Sequence, residues 1–346
     1  MNESLLPKVS VIVPVYNGES VIERCLNHLL HQKYPVEKLE IIVVDNGSTD
    51  KTVQIIESMG LKSFYAARKG PAAARNEGMK IASGEIVVFV DADCLAEPDL
   101  IIHHVLVHLY CQVADPQVAM IGGSVKGYNT NYWSTCDDFC SWWEVHPSQS
   151  RKYVAYHPAV NLSMRGELIK KGYFFDEELK SSEDIILCLS VTRDGYKILF
   201  NPSAVVSHIN RADFRSFMKH NLNWTRSFYL ELQKGMRISP EHFRYPKYKS
   251  LIYHEGLPWR KWLGWKFYPL LRCLIFNGCG FIISIYGIIR LAVRARRFQV
   301  IWCLPFIIIS KIHMFFLITK ISLKFCSDQR KLSKPQKETG ITLSGK

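Results

Sequence analysis

The sequence predicts an α/β fold, a mainly parallel sheet with helices covering both faces. Two observations lead there. Apolar, β-branched runs alternate with stretches of helical periodicity through the N-terminal part of the chain, and strands that read as continuous apolar runs are those buried on both faces, as parallel strands under helices are. The early runs also end in turns rich in Asn, Gly or Asp, and in open parallel sheets ligands sit beyond the carboxyl ends of the strands. Tyr16, Asp45, Asp91 and Asp93 all fall at such ends, which points to one pocket.

Val9 to Val15 reads as a buried strand, and Tyr16-Asn17-Gly18 as the turn that follows it. Val21, Ile22, Cys25, Leu26, Leu29 and Leu30 recur at helical spacing until Tyr34-Pro35 ends the pattern. Ile41 to Val44 is a second strand closed by Asp45-Asn46-Gly47-Ser48, and Thr52 to Met59 a second helix. Ala72 to Ile81 is helical, and Gly84 separates it from the strand Ile86 to Val90, which ends at Asp91-Ala92-Asp93. Beyond Ala114 the pattern is less regular: Val118 to Ile121 runs into Gly122-Gly123, aromatic residues surround Trp142-Trp143, and Glu183 to Asp194 is a helix. Ile198 to Phe200 and Val205-Val206 read as two short strands.

The net charge of +13 is unevenly spread. Residues 226–346 hold 22 of the 44 lysines and arginines but only 5 of the 31 aspartates and glutamates, so the basic character belongs to the C-terminal third. A basic block binds nucleic acid or an anionic membrane surface. Its neighbours here are long apolar runs and no nucleic-acid-binding signature is present, so a membrane surface is the expected partner and nucleic acid is not. Ten cysteines are scattered without a CxxC pair, and Met1 to Ser10 lead straight into a strand without a signal segment. The expectation is a catalytic part facing a reducing, cytosolic compartment.

Two apolar segments, Cys273 to Ile289 and Phe298 to Thr319, form the expected attachment, the second with Lys311 and His313 inside it. Arginines 290, 294, 296 and 297 lie between them. If both segments spanned, those arginines would face outward, against the positive-inside tendency. Two helices lying in one leaflet would keep them among cytoplasmic headgroups. Both arrangements remain open from sequence.

Asp91-Ala92-Asp93 at the mouth of a strand places two carboxylates on one side of the backbone. Such a pair suits a hard divalent ion that must also take diphosphate oxygens. A lone pair of this kind is often a solvated turn. Here it stands in order after Val9 to Asn17, Val43-Val44-Asp45-Asn46-Gly47-Ser48-Thr49-Asp50 and Gly70-Pro71-Ala72-Ala73-Ala74-Arg75-Asn76-Glu77-Gly78. Asn161 to Arg165, Gly172 to Asp176 and Ser182-Glu183-Asp184 follow it. Over roughly residues 7–210 this order resembles the inverting family-2 glycosyltransferases of the GT-A fold, in their membrane-associated bacterial form.

The resemblance implies roles. Pro14, Tyr16 and Glu19 would line the nucleotide base and Asp45 would hydrogen-bond it; Arg75 would approach the diphosphate, as its planar fork of donors suits. Asp91 would touch the ribose or a metal-bound water, and Asp93 would ligate Mn2+ or Mg2+. His208 falls where related enzymes put a further metal ligand or a diphosphate contact, and imidazole suits a manganese-like ion. Asp184 would be the general base, although taken alone Glu-Asp before an apolar helix is an ordinary charge pair for the helix dipole. Glu183, Asn161, Trp142 and Trp143 are candidates for acceptor or sugar contacts.

The implied activity is transfer of a sugar from a nucleotide-diphosphate sugar, expected to be a UDP-sugar, to a hydroxyl of a lipid-linked or envelope-polysaccharide acceptor. The place is the cytoplasmic face of a membrane, such as the bacterial inner membrane. Processive synthases of the family carry Gln-x-x-Arg-Trp after the base. This chain reads His220-Asn221-Leu222-Asn223-Trp224 there, which argues for transfer of a single sugar. The expected organisation is a catalytic domain over 1–225, a basic and aromatic connector over 226–268, a membrane-associated helical hairpin over 269–325 and a disordered polar tail over 326–346. The competing reading is a membrane adaptor that keeps the nucleotide-binding fold without catalysis. A nucleotidyltransferase would need a Gly-rich phosphate loop where the chain has Pro14-Val15-Tyr16-Asn17-Gly18.

Overall fold

A computed structural model describes residues 5–223, 228–238, 282, 284–294 and 296–332. Its centre is a nine-stranded sheet. In chain order the strands are β1 (Val9–Val15), β2 (Leu39–Asp45), β3 (Ser63–Tyr65), β4 (Ile86–Val90), β5 (Cys94–Ala96), β6 (Val118–Gly127), β7 (Lys152–Val154), β8 (Asn161–Arg165) and β9 (Lys197–His208). They lie in the order β3-β2-β1-β4-β8-β6-β9-β5, with β7 beside β9. The half formed by β3, β2, β1 and β4 is parallel, as the sequence predicts. β8 enters antiparallel to both β4 and β6, so the whole is a mixed sheet.

Helices cover both faces because the central strands are apolar on both. Val9, Val11, Val13 and Val15 of β1 and Ile86, Val88 and Val90 of β4 pack under α1 (Ile22–Leu30) and α4 (Leu100–Ala114). Ile12, Val87 and Phe89 face the other way, against α3 (Pro71–Ile81) and α7 (Glu183–Arg193). Burying a side chain of this size contributes about 1.5–3 kcal/mol. The smaller helices α2 (Thr52–Ser58), α5 (Tyr132–Trp142) and α6 (Glu167–Lys170) complete the layers.

Two sequence expectations are corrected. The two short strands near residue 200 are one twelve-residue strand, β9. Its register against β6 jumps from Asn201 to Val205, a bulge that absorbs Pro202, which has no N–H to give to a ladder. The polar tail expected from residue 326 is helical to Leu332. No Gly or Pro interrupts the chain between Pro305 and Pro335, and Leu323, Lys324, Gln329, Arg330 and Lys331 are good helix formers.

Among the described residues, α8 (Phe214–Asn223), α9 (Phe228–Ile238), a helical stretch over 284–294 and α10 (Val300–Leu332) follow the sheet. α9 packs on α7, with Lys234 bridging Asp176 and Glu178, and α10 packs on α5, α8 and α9. The connector beyond residue 238, the first apolar segment up to residue 281, Trp224 and the tail after 332 lie outside the described residues.

Candidate active site

A cleft of about 760 Å³ opens at the carboxyl ends of β1, β2 and β4. Its walls are the turn Pro14 to Gly18, the start of α3 with Gly70, Pro71 and Arg75, the stretch Asp91 to Asp93, and Ile209 with Arg211. The start of α3 brings the positive end of a helix dipole to the cleft, which favours a negatively charged group such as phosphate.

Tyr16 is 58% exposed and presents its ring to the cleft. Lys69 Nζ sits 5.3 Å from the centre of that ring and donates to the carbonyls of Asn46 and Gly47 at 2.9 and 3.2 Å. Asn17 holds a left-handed backbone (φ 49°) while its Oδ1 accepts the Thr49 N–H at 2.8 Å, which ties the turn to the segment after β2. Gly47 holds φ 80°, where a residue with a Cβ is strained, and a Cβ there would also come within 2.2 Å of Lys69 Nζ and push the lysine tip aside. Asn46 locks the same corner: Oδ1 accepts Gly70 N–H at 2.6 Å and Nδ2 donates to Arg68 O at 2.7 Å.

The Asp45 carboxylate is engaged within its own turn, accepting the N–H groups of Gly47 and Ser48 at 3.0 and 3.1 Å. It is the neighbour, Asn46, that lines the cleft. Glu19 accepts Lys51 N–H at 3.1 Å and stands off the cleft wall at the start of α2.

Arg75 is the hinge of the site. It is 5% exposed, and its guanidinium donates to Asp91 Oδ1 at 2.7 Å and to Glu183 Oε1 at 2.6 Å. The end of β4 and the start of α7, far apart in sequence, are thereby joined through one cation. The Arg75 Nε is buried with no partner among the described residues. Burial opposes its charge, but Asp91 and then Glu183 keep the group protonated, above its ordinary value.

Asp184 stands next to Glu183 in the first turn of α7, partly exposed. Its Oδ2 accepts Ala159 N–H at 3.1 Å and its Oδ1 accepts Ile185 N–H at 2.8 Å. Burial and the adjacent Glu183 carboxylate push its pKa up to about 7, against the pull of Arg75 and the two N–H donors. Ser182, which leads into α7, is held at φ 66°, a conformation that costs about 1–3 kcal/mol in a residue with a Cβ.

β5 pairs with β9 so that Cys94 lies opposite His208, and this register brings His208 Nε2 to 3.4 Å from Asp93 Oδ2. Ligand atoms of Asp93, Cys94 and His208 lie within 4.8 Å of one another. His208 is aimed from behind: its Nδ1 meets Asn210 Oδ1 at 2.8 Å, and the Trp142 ring packs 4.9 Å from the imidazole. Such outer partners fix the tautomer and orientation of a ligating imidazole. Burial works against charge on Asp93, yet His208 and Arg211 hold its carboxyl well below the usual carboxylate range. Burial lifts the Cys94 thiol well above its ordinary value, and an Asp93 oxygen with a His208 nitrogen are donors that suit a divalent ion such as Mn2+.

Other candidates have structural roles. Asn161 is fully buried, its Nδ2 donating to Ser124 O and Ala204 O at 2.9 and 3.0 Å, and so it ties β8 to β6 and, across it, to β9 instead of meeting a sugar. Trp142 is buried, donating from Nε1 to Asn210 Oδ1 at 3.1 Å. Trp143 packs in the cluster between α5 and the C-terminal helices. Neither ring faces the cleft. Lys69 and Arg211 line the cleft without having been singled out from sequence. Their signal lay in position, Lys69 just before Gly70-Pro71 and Arg211 three residues after His208.

A parallel sheet end where one arginine joins Asp91 to the acidic start of α7, with Asp93 beside a buried His208, is the architecture of the GT-A class, and comparison with known proteins agrees. A sequence profile described as glycosyl transferase family 2 matches residues 10–174. Glycosyltransferase AglE of Haloferax volcanii is 30% identical over 211 residues, 59% of this chain and 68% of that protein. A dolichyl N-acetyl-alpha-D-glucosaminyl phosphate 3-beta-D-2,3-diacetamido-2,3-dideoxy-beta-D-glucuronosyltransferase of Methanococcus voltae is 25% identical over 244 residues, 66% of this chain and 74% of that one. Among solved structures, a mannosyltransferase from Pyrobaculum calidifontis in complex with GDP-Man and Mn2+ superposes with a TM-score of 0.53 at 19% identity, over 96% of this chain and 89% of that one. The chain belongs to glycosyltransferase family 2 and is a glycosyltransferase.

Proposed function

We propose that the protein transfers a single sugar from a UDP-sugar to a hydroxyl of a lipid-linked or envelope-glycan acceptor, with inversion at the anomeric carbon and Asp184 as the base. The observation that carries this reading is the clamp Asp91–Arg75–Glu183, which couples the metal-binding end of the cleft to a carboxylate, Asp184, whose pKa is raised to about 7. A general base works best when its pKa lies near the operating pH.

On this reading Tyr16 and the turn around Asn46 and Lys69 take the base, while Arg211 and the α3 start face the diphosphate. Asp93 and His208 would hold a divalent ion, whose positive charge would stabilise a nucleoside diphosphate as leaving group. The acceptor oxygen attacks the anomeric carbon from the face opposite the diphosphate, its proton passes to an Asp184 oxygen, and the bond from carbon to phosphate oxygen breaks. One displacement inverts the centre, as in single-displacement glycosidases. The acceptor class is supported by the dolichyl-linked acceptor in the name of the Methanococcus relative and by the apolar, basic C-terminal region. A cytoplasmic setting is supported by the free state of all seven cysteines among the described residues.

The test is turnover of UDP-, GDP-, CDP- and dTDP-sugars by purified protein with Mn2+ or Mg2+, beside Asp184→Asn and Asp93→Ala. Each variant is expected to lose about 100-fold or more of the activity. Undiminished turnover in either would refute the role assigned to that residue.

A further inference from the structure

α10 is long and apolar enough to cross a membrane: Val300–Ile321 is a 22-residue apolar stretch, about 33 Å as a helix against a hydrocarbon core of about 30 Å. Its surroundings decide otherwise. One side of α10 is covered along its length, with Val300, Cys303, Ile307, Ser310 and Thr319 buried and α5, α8 and α9 packed against it. The opposite side carries Trp302, Ile309, Ile312 and Phe316, exposed at the spacing of a helical stripe. The helical stretch over 284–294 behaves likewise: Ile288, Leu291 and Ala292 are buried, and Tyr286, Ile289 and Val293 are exposed. There Gly287 lets the backbone touch Trp143, whose ring a Cβ would meet at 2.0 Å.

Three polar links hold this pair of helices to the catalytic domain. Arg297 pairs with the buried Asp138, which also accepts the Gly127 N–H at 2.7 Å. Lys311, a charge inside the apolar stretch, donates to Cys140 O at 3.1 Å near the end of α5, where a cation meets the negative pole of a helix. Tyr132 Oη donates to Trp302 O at 2.7 Å. A crossing α10 would either carry the buried carboxylates Asp137 and Asp138 of α5 into hydrocarbon or strip Asp138 of its cation, and an uncompensated buried charge is strongly destabilising. Arg290, Arg294, Arg296, Lys320 and Lys324 are exposed around the apolar stripe, the charge that anionic headgroups attract.

We propose that 284–294 and α10 together form an in-plane membrane seat: α10 lies in one leaflet of an anionic bilayer, apolar stripe in the lipid and catalytic domain above it, and does not cross. The seat ends beside the donor cleft. Arg211 lines the cleft, and Phe214, one turn further on, touches Phe306 of α10 at 6.1 Å between ring centres. A lipid-anchored acceptor lying in the same leaflet would therefore present its headgroup at the cleft mouth. The inference deepens the membrane part of the proposed function and does not depend on the chemistry assigned to Asp184.

The test uses the full chain with a C-terminal tag. In spheroplasts of an expression host, protease should spare both the tag and the catalytic domain, and in inside-out vesicles it should digest both. Digestion of the tag alone from the periplasmic side would overturn the in-plane arrangement. In flotation, purified protein should bind phosphatidylglycerol-containing vesicles about tenfold more tightly than pure phosphatidylcholine ones, and the double variant Ile309→Glu/Ile312→Glu should remain with the soluble fraction. Equal binding to both lipids, or unchanged flotation of the double variant, would overturn the seat. A thermal shift of that variant by UDP and Mn2+ equal to that of the parent shows that its fold is intact, and this reads the donor site separately from the membrane.

Discussion

Asp184→Asn should abolish turnover and yet stabilise the protein above neutral pH. The carboxyl is raised from 3.8 to about 7 in the folded chain, by burial first and by Glu183 second. A group raised in this way favours the folded state when protonated: its contribution is complete below about pH 4, shrinks between pH 4 and 7, and is gone above 7. The gap corresponds to about 4 kcal/mol. Asp184 is partly exposed, so solvent screening reduces the realised difference to about 1–2 kcal/mol, or roughly 2–4 °C in Tm. Asn does not titrate. It also accepts one fewer charged hydrogen bond from Ala159 or Ile185, but that loss is a constant offset. The measurement is therefore the difference in Tm between variant and parent from pH 4.5 to 8.5 by scanning fluorimetry. It should climb by a few degrees from pH 4.5 to about 7 and level off above that, while transferase activity falls at least 100-fold throughout. A difference in Tm that is flat with pH would refute the claim that Asp184 sits uncomfortably charged beside Glu183, whatever happened to the activity.

Glu183→Gln removes the like charge from Asp184, so the acidic limb of the kcat profile should move to lower pH, and an unmoved limb would deny the coupling between the two. Because Glu183 is also the buried partner of Arg75, the same variant should lose about 3 kcal/mol of stability in urea denaturation. His208→Ala should weaken Mn2+ binding at least tenfold in calorimetric titration in the presence of UDP, and unchanged affinity would remove His208 from the ligand set. Gly47→Ala should raise KM for the donor several-fold and leave kcat within about twofold, since it combines a strained φ with a clash against Lys69; a loss confined to kcat would contradict the placement of the base.

The parallel half of the sheet was readable because its strands are uninterrupted apolar runs, so that Val9–Val15 and Ile86–Val90 need no tertiary information to be recognised. β9 was not, because Pro202 and Ser203 interrupt its pattern and only pairing with β6 restores continuity. The helix α4 has no counterpart among the sequence expectations: its His104 and His108 look polar yet are buried, their Nε2 atoms meeting Asn161 and Ser163 at 2.9 Å. Asp91, Asp93 and Asp184 were legible as motif residues. The use of Arg75 was not, since nothing in the spacing of Arg75, Asp91 and Glu183 says that one guanidinium reaches both carboxylates. Lys311 likewise reads as an intruder in a membrane segment until the carbonyl it meets on α5 is known.

The division of labour between Glu183 and Asp184 follows from that guanidinium. The two side chains are chemically alike and adjacent in the chain, and a helix start turns successive residues by about 100°. Glu183 is turned inward, where Arg75 keeps it paired at 2.6 Å. Asp184 is turned toward Ala159, receives only N–H donors, and feels the Glu183 charge unrelieved by a cation of its own. One carboxylate is thus committed to structure and the other is left close to neutral pH, as environments separate paired carboxyls in other active sites. Removing the cation, for example by Arg75→Met with both acids retained, would leave the buried Glu183 and the half-buried Asp184 as like charges side by side, which favours protonation of one of them in the folded chain. The left-handed Ser182 stands immediately before the two acids, where the chain enters α7 with Glu183 turned to the Arg75 clamp and Asp184 to the Ala159 N–H; on the proposed mechanism Asp184 is then the acid left for the acceptor.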